Sequence, residues 1–494
     1  MKLPSFSSQN HHPYEPKSVL DIRRSPPSPV TGNSSDFNTF DHNTACLFPL
    51  PVENSEHGMI PQQQFEQGWD SNSLMKELGL YDDDPNESAY SLDLPQLPPF
   101  FQSDFESLNP YSNLFDLMSQ NHDDDGNETD FMDDLILLAE CCETQSFQLA
   151  HVTLARLNQR LRSPTGKAVE RAAFYFKEAI QSLLTGSTRS SQTCTSYEIV
   201  QAIKAYRTFS IVSPIPLFSS FTANQAILDA VDGAMDVHVI DFDIGLGGQW
   251  ASFLKAVAEK AEARQVNSPA VRITAVVPEE YEQESRLIRD NLLQFSSDLN
   301  LRFEIDFVSI RAFEYISFKA IKFMNEEKVA VLLTPTIFRR VGSGFVDDLR
   351  RVSPSVVVYV DSELNGCGST LFRQTVIDGM KLYTTILESL EAANVVGGMG
   401  AGGGDWIRSI EMFMLLPKIM ASVEYAGRHV TSWREALGRA GMKAVGLSQF
   451  ADIQAESLVK GVQVRGFHVA KQGAEMMLCW HDRPLVATSV WTCC

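Results

Sequence analysis

The sequence predicts a mixed α/β protein: a doubly wound, largely parallel sheet ends in an antiparallel hairpin, helices cap it, and an acidic arm precedes both. Three observations predict this. Short apolar runs alternate with segments of helical period after Pro216, leucines recur every three or four residues between 131 and 215, and most of the excess negative charge lies before residue 131.

The arm comes first in the chain. Of 494 residues carrying a formal net charge of -21, residues 1–130 hold 5 Lys/Arg against 22 Asp/Glu, a balance of −17, and 14 of the 23 prolines. Chain of this composition does not bury enough apolar surface to offset its ordering entropy, so 1–130 is expected to be disordered. It is not purely polar. Trp69, Leu74, Met75, Leu78, Leu80 and Tyr81 sit among acidic residues, as do Phe100, Phe101, Phe105, Tyr111, Leu114 and Phe115. Acidic and apolar residues interleaved in this way mark an activation segment, whose aromatics stay apart until a partner groove takes them as a short amphipathic helix. Ser25-Pro26 and Ser28-Pro29 beside Arg23 and Arg24 are candidate phosphate acceptors.

Residues 131–215 read as a leucine-rich helical cap. Leu135, Leu138 and Cys142, then Ala150, Leu154, Leu157 and Leu161, keep helical spacing up to the break at Ser163-Pro164-Thr165-Gly166, and two further stripes follow at Val169 to Leu184 and Ile199 to Phe209. Such stripes ordinarily form the inside of a bundle, with partner contact on the outer side of the layer.

Residues 216–494 read as the core. Apolar runs at Val237 to Phe242, Val271 to Val277, Leu301 to Val308, Val329 to Leu333 and Val356 to Val360 lack polar alternation, which marks strands buried on both faces of a parallel sheet. Helical patterns such as Gln249 to Ala263 and Arg286 to Phe295 separate them. Gly397 to Gly404 break the chain before a helix at Trp406 to Met420, and Met476 to Trp480, His481 to Pro484 and Leu485 to Trp491 read as strand, turn and strand.

One loop carries a chemical signature. Asp243-x-Gly245-x-Gly247-Gly248 follows the first strand and opens a helix, where glycines permit close backbone approach and the helix terminus offers free N–H groups. The spacing is similar to the adenosylmethionine loop of Rossmann-type methyltransferases, with Glu279 or Glu280 placed to hold a ribose, so a Rossmann-like (methyltransferase-like) core and an enzyme reading both follow from it. Against that reading, Gln249 and Trp250 put bulk beside the glycines, and Thr334-Pro335-Thr336-Ile337 stands where a catalytic Asn/Asp-Pro-Pro-aromatic unit belongs. An inert structural turn is therefore expected, with no cofactor.

Other chemistry is absent from the sequence. There is no Walker loop, no H-E-x-x-H and no G-x-S-x-G elbow, and the eight cysteines form neither a metal frame nor a disulfide ladder, so a reducing compartment and no metal site are expected. No apolar stretch is long enough to cross a membrane. His238, between apolar neighbours in a buried strand, reads as a satisfied core imidazole. Arg339-Arg340 and Arg350-Arg351 are the compact basic pairs, and Asp347 and Asp348 between them suggest a solvated helix face, with direct DNA contact left as a further alternative.

Taken in order, these features resemble the plant GRAS family of transcription regulators. Its V-H-I-I-D motif stands as Val237-His238-Val239-Ile240-Asp241, approached through Phe221-Thr-Ala-Asn-Gln-Ala226; Ser353-Pro354-x-Val356 is similar to its proline unit, Phe372 and Tyr383 to its aromatic unit, and Trp433 and Gly441 to its W…G pattern. Trp480 with Ser489-Val490-Trp491 stands for the terminal S-A-W motif, one residue changed, and Arg408 and Glu411 are the nearest match to its Arg-Glu unit. Glu15 to Asp21, Arg23 to Pro26 and Leu154 to Asn158 resemble the hairy meristem (scarecrow-like) branch. The resemblance implies a nuclear, non-enzymatic coregulator that docks DNA-bound transcription factors, homeodomain proteins among them, and maintains meristems. It assigns partner contact to the leucine region of Leu135, Leu138, Leu154, Leu157 and Leu161, and leaves homo- or hetero-dimers open.

Overall fold

The computed structural model describes residues 128–186, 194–364, 371–396, 404–426, 432–462 and 464–493. Residues 1–127, nearly all of the expected arm, and the glycines at 397–403 lie outside them. Nine strands form one sheet in the order β3-β2-β1-β4-β5-β9-β8-β7, with β6 on the far half of β9. The strands are β1 (Asp236–Asp241), β2 (Ala270–Val277), β3 (Phe303–Ser309), β4 (Lys328–Leu333), β5 (Val356–Asp361), β6 (Met442–Val445), β7 (Phe467–Gln472), β8 (Glu475–Trp480) and β9 (Arg483–Cys493). The first five pair in parallel, and β9 runs antiparallel to β5, β6 and β8. The β8–β9 turn is two residues long, with His481 and Asp482 both left-handed (φ 45 and 62), the backbone twist a tight hairpin needs.

Among the described residues five helices precede the sheet: α1 (Glu128–Glu143), α2 (Phe147–Arg160), α3 (Ala168–Thr185), α4 (Ser196–Val212) and α5 (Ile215–Ala230). Pro214 and Pro216 sit at the N-cap and first turn of α5, where a missing N–H costs nothing. The helix has apolar residues on every side and lies buried, so it shows no amphipathic period to read. On one face of the sheet α5 packs with α6 (Gly248–Arg264) and α7 (Glu282–Asp298) over Val237, Val239, Ile273 and Val358. The other face holds α8 (Ile310–Ile316), a 3₁₀ turn at Ser317–Ala320, α9 (Pro335–Val341) and α10 (Phe345–Val352) over Ile240, Val331 and Val357.

The cap is discontinuous in the chain. Its core joins Leu135, Leu138, Leu154 and Leu157 to Val376, Met380, Tyr383, Leu387 and Leu390 of α11 (Phe372–Val396), spaced to line one side of that helix. After α12 (Gly404–Ile410) a π-helical segment at Glu411–Leu415 leads into α13 (Leu416–Glu424), whose Pro417 lacks the N–H that a regular ladder would use. The helices α14 (Trp433–Arg439) and α15 (Gln449–Lys460) complete the chain.

Glu411 holds the cap together from its centre. Its side chain, 2% exposed, accepts from Arg171 Nε at 2.8 Å and from Tyr175 Oη at 2.7 Å, while Arg171 Nη1 reaches Glu391 at 2.5 Å. Loss of Glu411 leaves Arg171 Nε and the Tyr175 hydroxyl without their acceptor in the interior. Glu411→Ala should therefore lower stability by ~3 kcal/mol, read as the urea midpoint, with Glu411→Gln losing less; equal and small losses would contradict this role.

Candidate functional site

In an open α/β sheet ligands sit at the carboxyl ends of the strands where the strand order reverses, here between β1 and β4. The glycine loop is at that place. Asp241, the last residue of β1, points to the same face as Val237 and Val239 and is buried. One carboxylate oxygen accepts the Asp243 backbone N–H at 2.8 Å, and the other accepts Trp250 Nε1 at 2.7 Å. Burial pushes the Asp241 carboxyl up to about 7, with the two N–H donors pulling against it.

The next residues are engaged in the same way. Gln249 and Asn224 of α5 clasp each other, Asn224 Nδ2 donating to the Gln249 carbonyl and Gln249 Nε2 to Asn224 Oδ1, both at 3.1 Å. Gly247 has φ +80, and a Cβ there would lie 2.9 Å from Ile288 of α7, so its glycine serves packing as well as the turn. Tyr281 donates its hydroxyl to the Gly245 carbonyl at 2.5 Å. Ile199 and Ile203 of α4 pack on Leu246 of the loop and Leu287 of α7, so a cap helix lies against the turn. Asp243 is exposed and accepts from Thr334 Oγ1 at 3.2 Å, bridging the ends of β1 and β4. Gly248 is half-buried, and Glu279 is exposed after β2. The loop residues thus meet one another and side chains of α4 and α5, while Asp243, Gly245 and Glu279 stay exposed.

At the opposite end of β1, His238 is fully buried. Nδ1 lies 3.0 Å from Glu327, Nε2 lies 2.8 Å from Thr274 Oγ1, and Arg272 Nη1 donates to the Lys322 carbonyl at 2.6 Å while Nη2 reaches the other Glu327 oxygen at 2.5 Å. Burial and the adjacent Arg272 push the imidazole down to about 4, so it is neutral near pH 7. With its proton on Nδ1, the ring donates to Glu327 and accepts from Thr274, which satisfies both nitrogens. Arg272 and Thr274, the polar residues in the run Val271 to Val277, are the sequence signal that could have pointed to this network, and the sheet register sets Arg272 directly opposite His238.

Leu135, Leu138, Leu154, Leu157 and Leu161 all face inward. Their side chains touch other cap helices, and the apolar groups open to solvent on α2 are Phe147, Leu149 and Val152. Trp480 also belongs to the cap core, its Nε1 donating to the Arg465 carbonyl at 3.2 Å. In β9 Ser489 and Trp491 share one face, joined by a 3.1 Å bond, and Trp491 meets the edge of Trp433, which stacks on Tyr359 at 3.9 Å. Val490 points the other way, buried against α5-side residues, so the valine in place of alanine adds methyls to the core. Of the basic pairs, Arg339 binds Glu363 at 2.6 Å and Arg351 binds Asp348 at 2.6 Å. Among the described residues no group of acidic, His or Cys side chains could hold a metal, and no helix is long and apolar enough to cross a membrane.

A family model described as the GRAS domain family matches residues 131–492. The chain is 45% identical to Scarecrow-like protein 15 of Arabidopsis thaliana, over 96% of this chain and 100% of that one. It is 35% identical to Scarecrow-like protein 6 of the same plant, over 73% of this chain and 62% of that one. Among solved structures it is similar to SCL7 of Oryza sativa, with TM-score 0.55 and 25% identity, covering 73% of this chain and 99% of that one.

The Asp241 carboxyl gives a pH test. Its folded pKa lies above the ordinary value, so its contribution to stability is complete below about pH 4 and is lost as the pH rises through about 7. Asp241→Asn, which does not ionise, should gain on the natural chain across that window in urea-unfolding midpoints; an unchanging difference would contradict the buried carboxyl.

Proposed function

This chain belongs to the GRAS domain family of plant transcription regulators, and from that premise we propose that it is a nuclear, non-enzymatic coregulator that docks DNA-bound transcription factors. The helical cap supplies the docking surface and the acidic arm recruits transcription machinery. Meristem maintenance beside homeodomain partners is the developmental setting, on the strength of the scarecrow-like motifs.

One observation carries this reading. Within the loop that a nucleotide-type scaffold would turn toward a ligand, Asp241, Gly245, Leu246, Gln249 and Trp250 are engaged by one another, by Tyr281 and by α4 and α5. Recognition is then left to the outer surface. On the leucine helices that surface is Phe147, Leu149 and Val152, because the leucines themselves form the cap interior. The engagement of Arg339 and Arg351 with carboxylates supports docking on a DNA-bound partner over direct reading of DNA.

Removing residues 1–130 should leave capture of the partner factor intact and lower reporter output. Loss of the partner with the arm would break this division of labour. The exposed double substitution Leu149→Asp with Val152→Asp should weaken partner capture by about ten-fold, ~1.4 kcal/mol, at unchanged melting temperature. Full retention of the partner would place the docking surface elsewhere.

A further inference from the structure

The two sides of α4 do different things. Its inner side buries Ile199, Ile203 and Phe209, the first two against the glycine loop. Its outer side aligns Tyr197, Lys204, Arg207 and Ile211, which at 3.6 residues per turn share one stripe about 21 Å long. Tyr197 is 68% and Ile211 73% exposed, and Lys204 and Arg207 are exposed between them. Neither cation has a carboxylate partner among the described residues, and the carboxylate of Glu198 is engaged with Thr195 at the helix start.

A stripe with apolar ends and a cationic middle asks for an acidic ligand with aromatic or aliphatic anchors. The chain contains such a ligand. Residues 69–84 bear Trp69, Leu74, Met75, Leu78, Leu80 and Tyr81 as anchors, with Asp70, Glu77, Asp82, Asp83 and Asp84 against a single Lys76. A random coil as long as the stretch from 85 to 127 would span about 35 Å, which corresponds to an effective concentration of order mM for a tethered ligand.

We infer that residues 69–84 dock in cis on the outer stripe of α4, with Asp82 to Asp84 on Lys204 and Arg207 and the aromatic anchors against Tyr197 and Ile211. The arm is thereby withheld from other partners until one of them competes for it. The contact goes beyond the coregulator reading and is tested without it, since a purified chain needs no transcription to show it.

The experiment is carbodiimide crosslinking of the full chain, which joins Lys Nζ directly to a touching carboxylate. Lys204 should join Asp82, Asp83 or Asp84 within one chain, and the yield should hold over about ten-fold dilution because the reaction is intramolecular. Arg207→Glu, and separately Tyr197→Ala with Ile211→Ala, change only exposed side chains; each should cut that yield by about five-fold, ~1 kcal/mol, at unchanged melting temperature. The inference fails if Lys204 joins nothing in 69–84, or if exposed Lys443 joins the same segment equally well. It also fails if the links form only between isotopically distinct copies, or if Arg207→Glu removes binding to duplex DNA and leaves the links unchanged.

Discussion

The bond from the Trp250 indole to the Asp241 carboxylate is the constraint from which the rest of the site follows. A carboxyl at the end of a central parallel strand is costly to bury and needs donors. Here they come from the first turn of α6 and from the backbone of the loop itself. Once Trp250 is committed, Gln249 beside it is drawn to Asn224, and α5 is fixed against α6. The family signature thus acquires a physical meaning: Asp241 closes the turn, while Val237, Val239 and Ile240 fill the core on the two faces of the sheet.

A second consequence runs from the turn to the cap. Because α4 rests on Leu246 and Leu287 with one side and contributes Phe209 to the cap interior with another, it ties the helical layer to the sheet. The hairpin does the same from the far end of the chain, through Trp480 and Leu485 in the cap core. Cap and sheet share these residues, so neither layer has a complete interior alone.

The parallel strands were legible because burial on both faces leaves unbroken apolar runs, and β1 to β5 fall within two residues of those runs. The hairpin was legible from its turn. What escaped was whatever lacked a period: α5, apolar all round and headed by prolines, and the edge strands β6 and β7, which are short and half exposed. The membership of α11 and α13 in the cap was hidden for a different reason, since chain order placed them in the core and only packing shows where their apolar stripes turn. At the site, the sequence pointed to the right loop and to the bulk of Gln249 and Trp250. It gave no view of Tyr281, Asn224 or α4, because those contacts join segments 25 to about 45 residues apart that only the fold brings together.

On the proposed reading, this scaffold closes its glycine turn with its own side chains and acts through its surface. Thermal unfolding of the purified chain against rising adenosylmethionine tests it most directly. The account predicts a melting temperature that does not move. A saturable rise, worth ~2.7 kcal/mol at about a hundred times the dissociation constant, would contradict it.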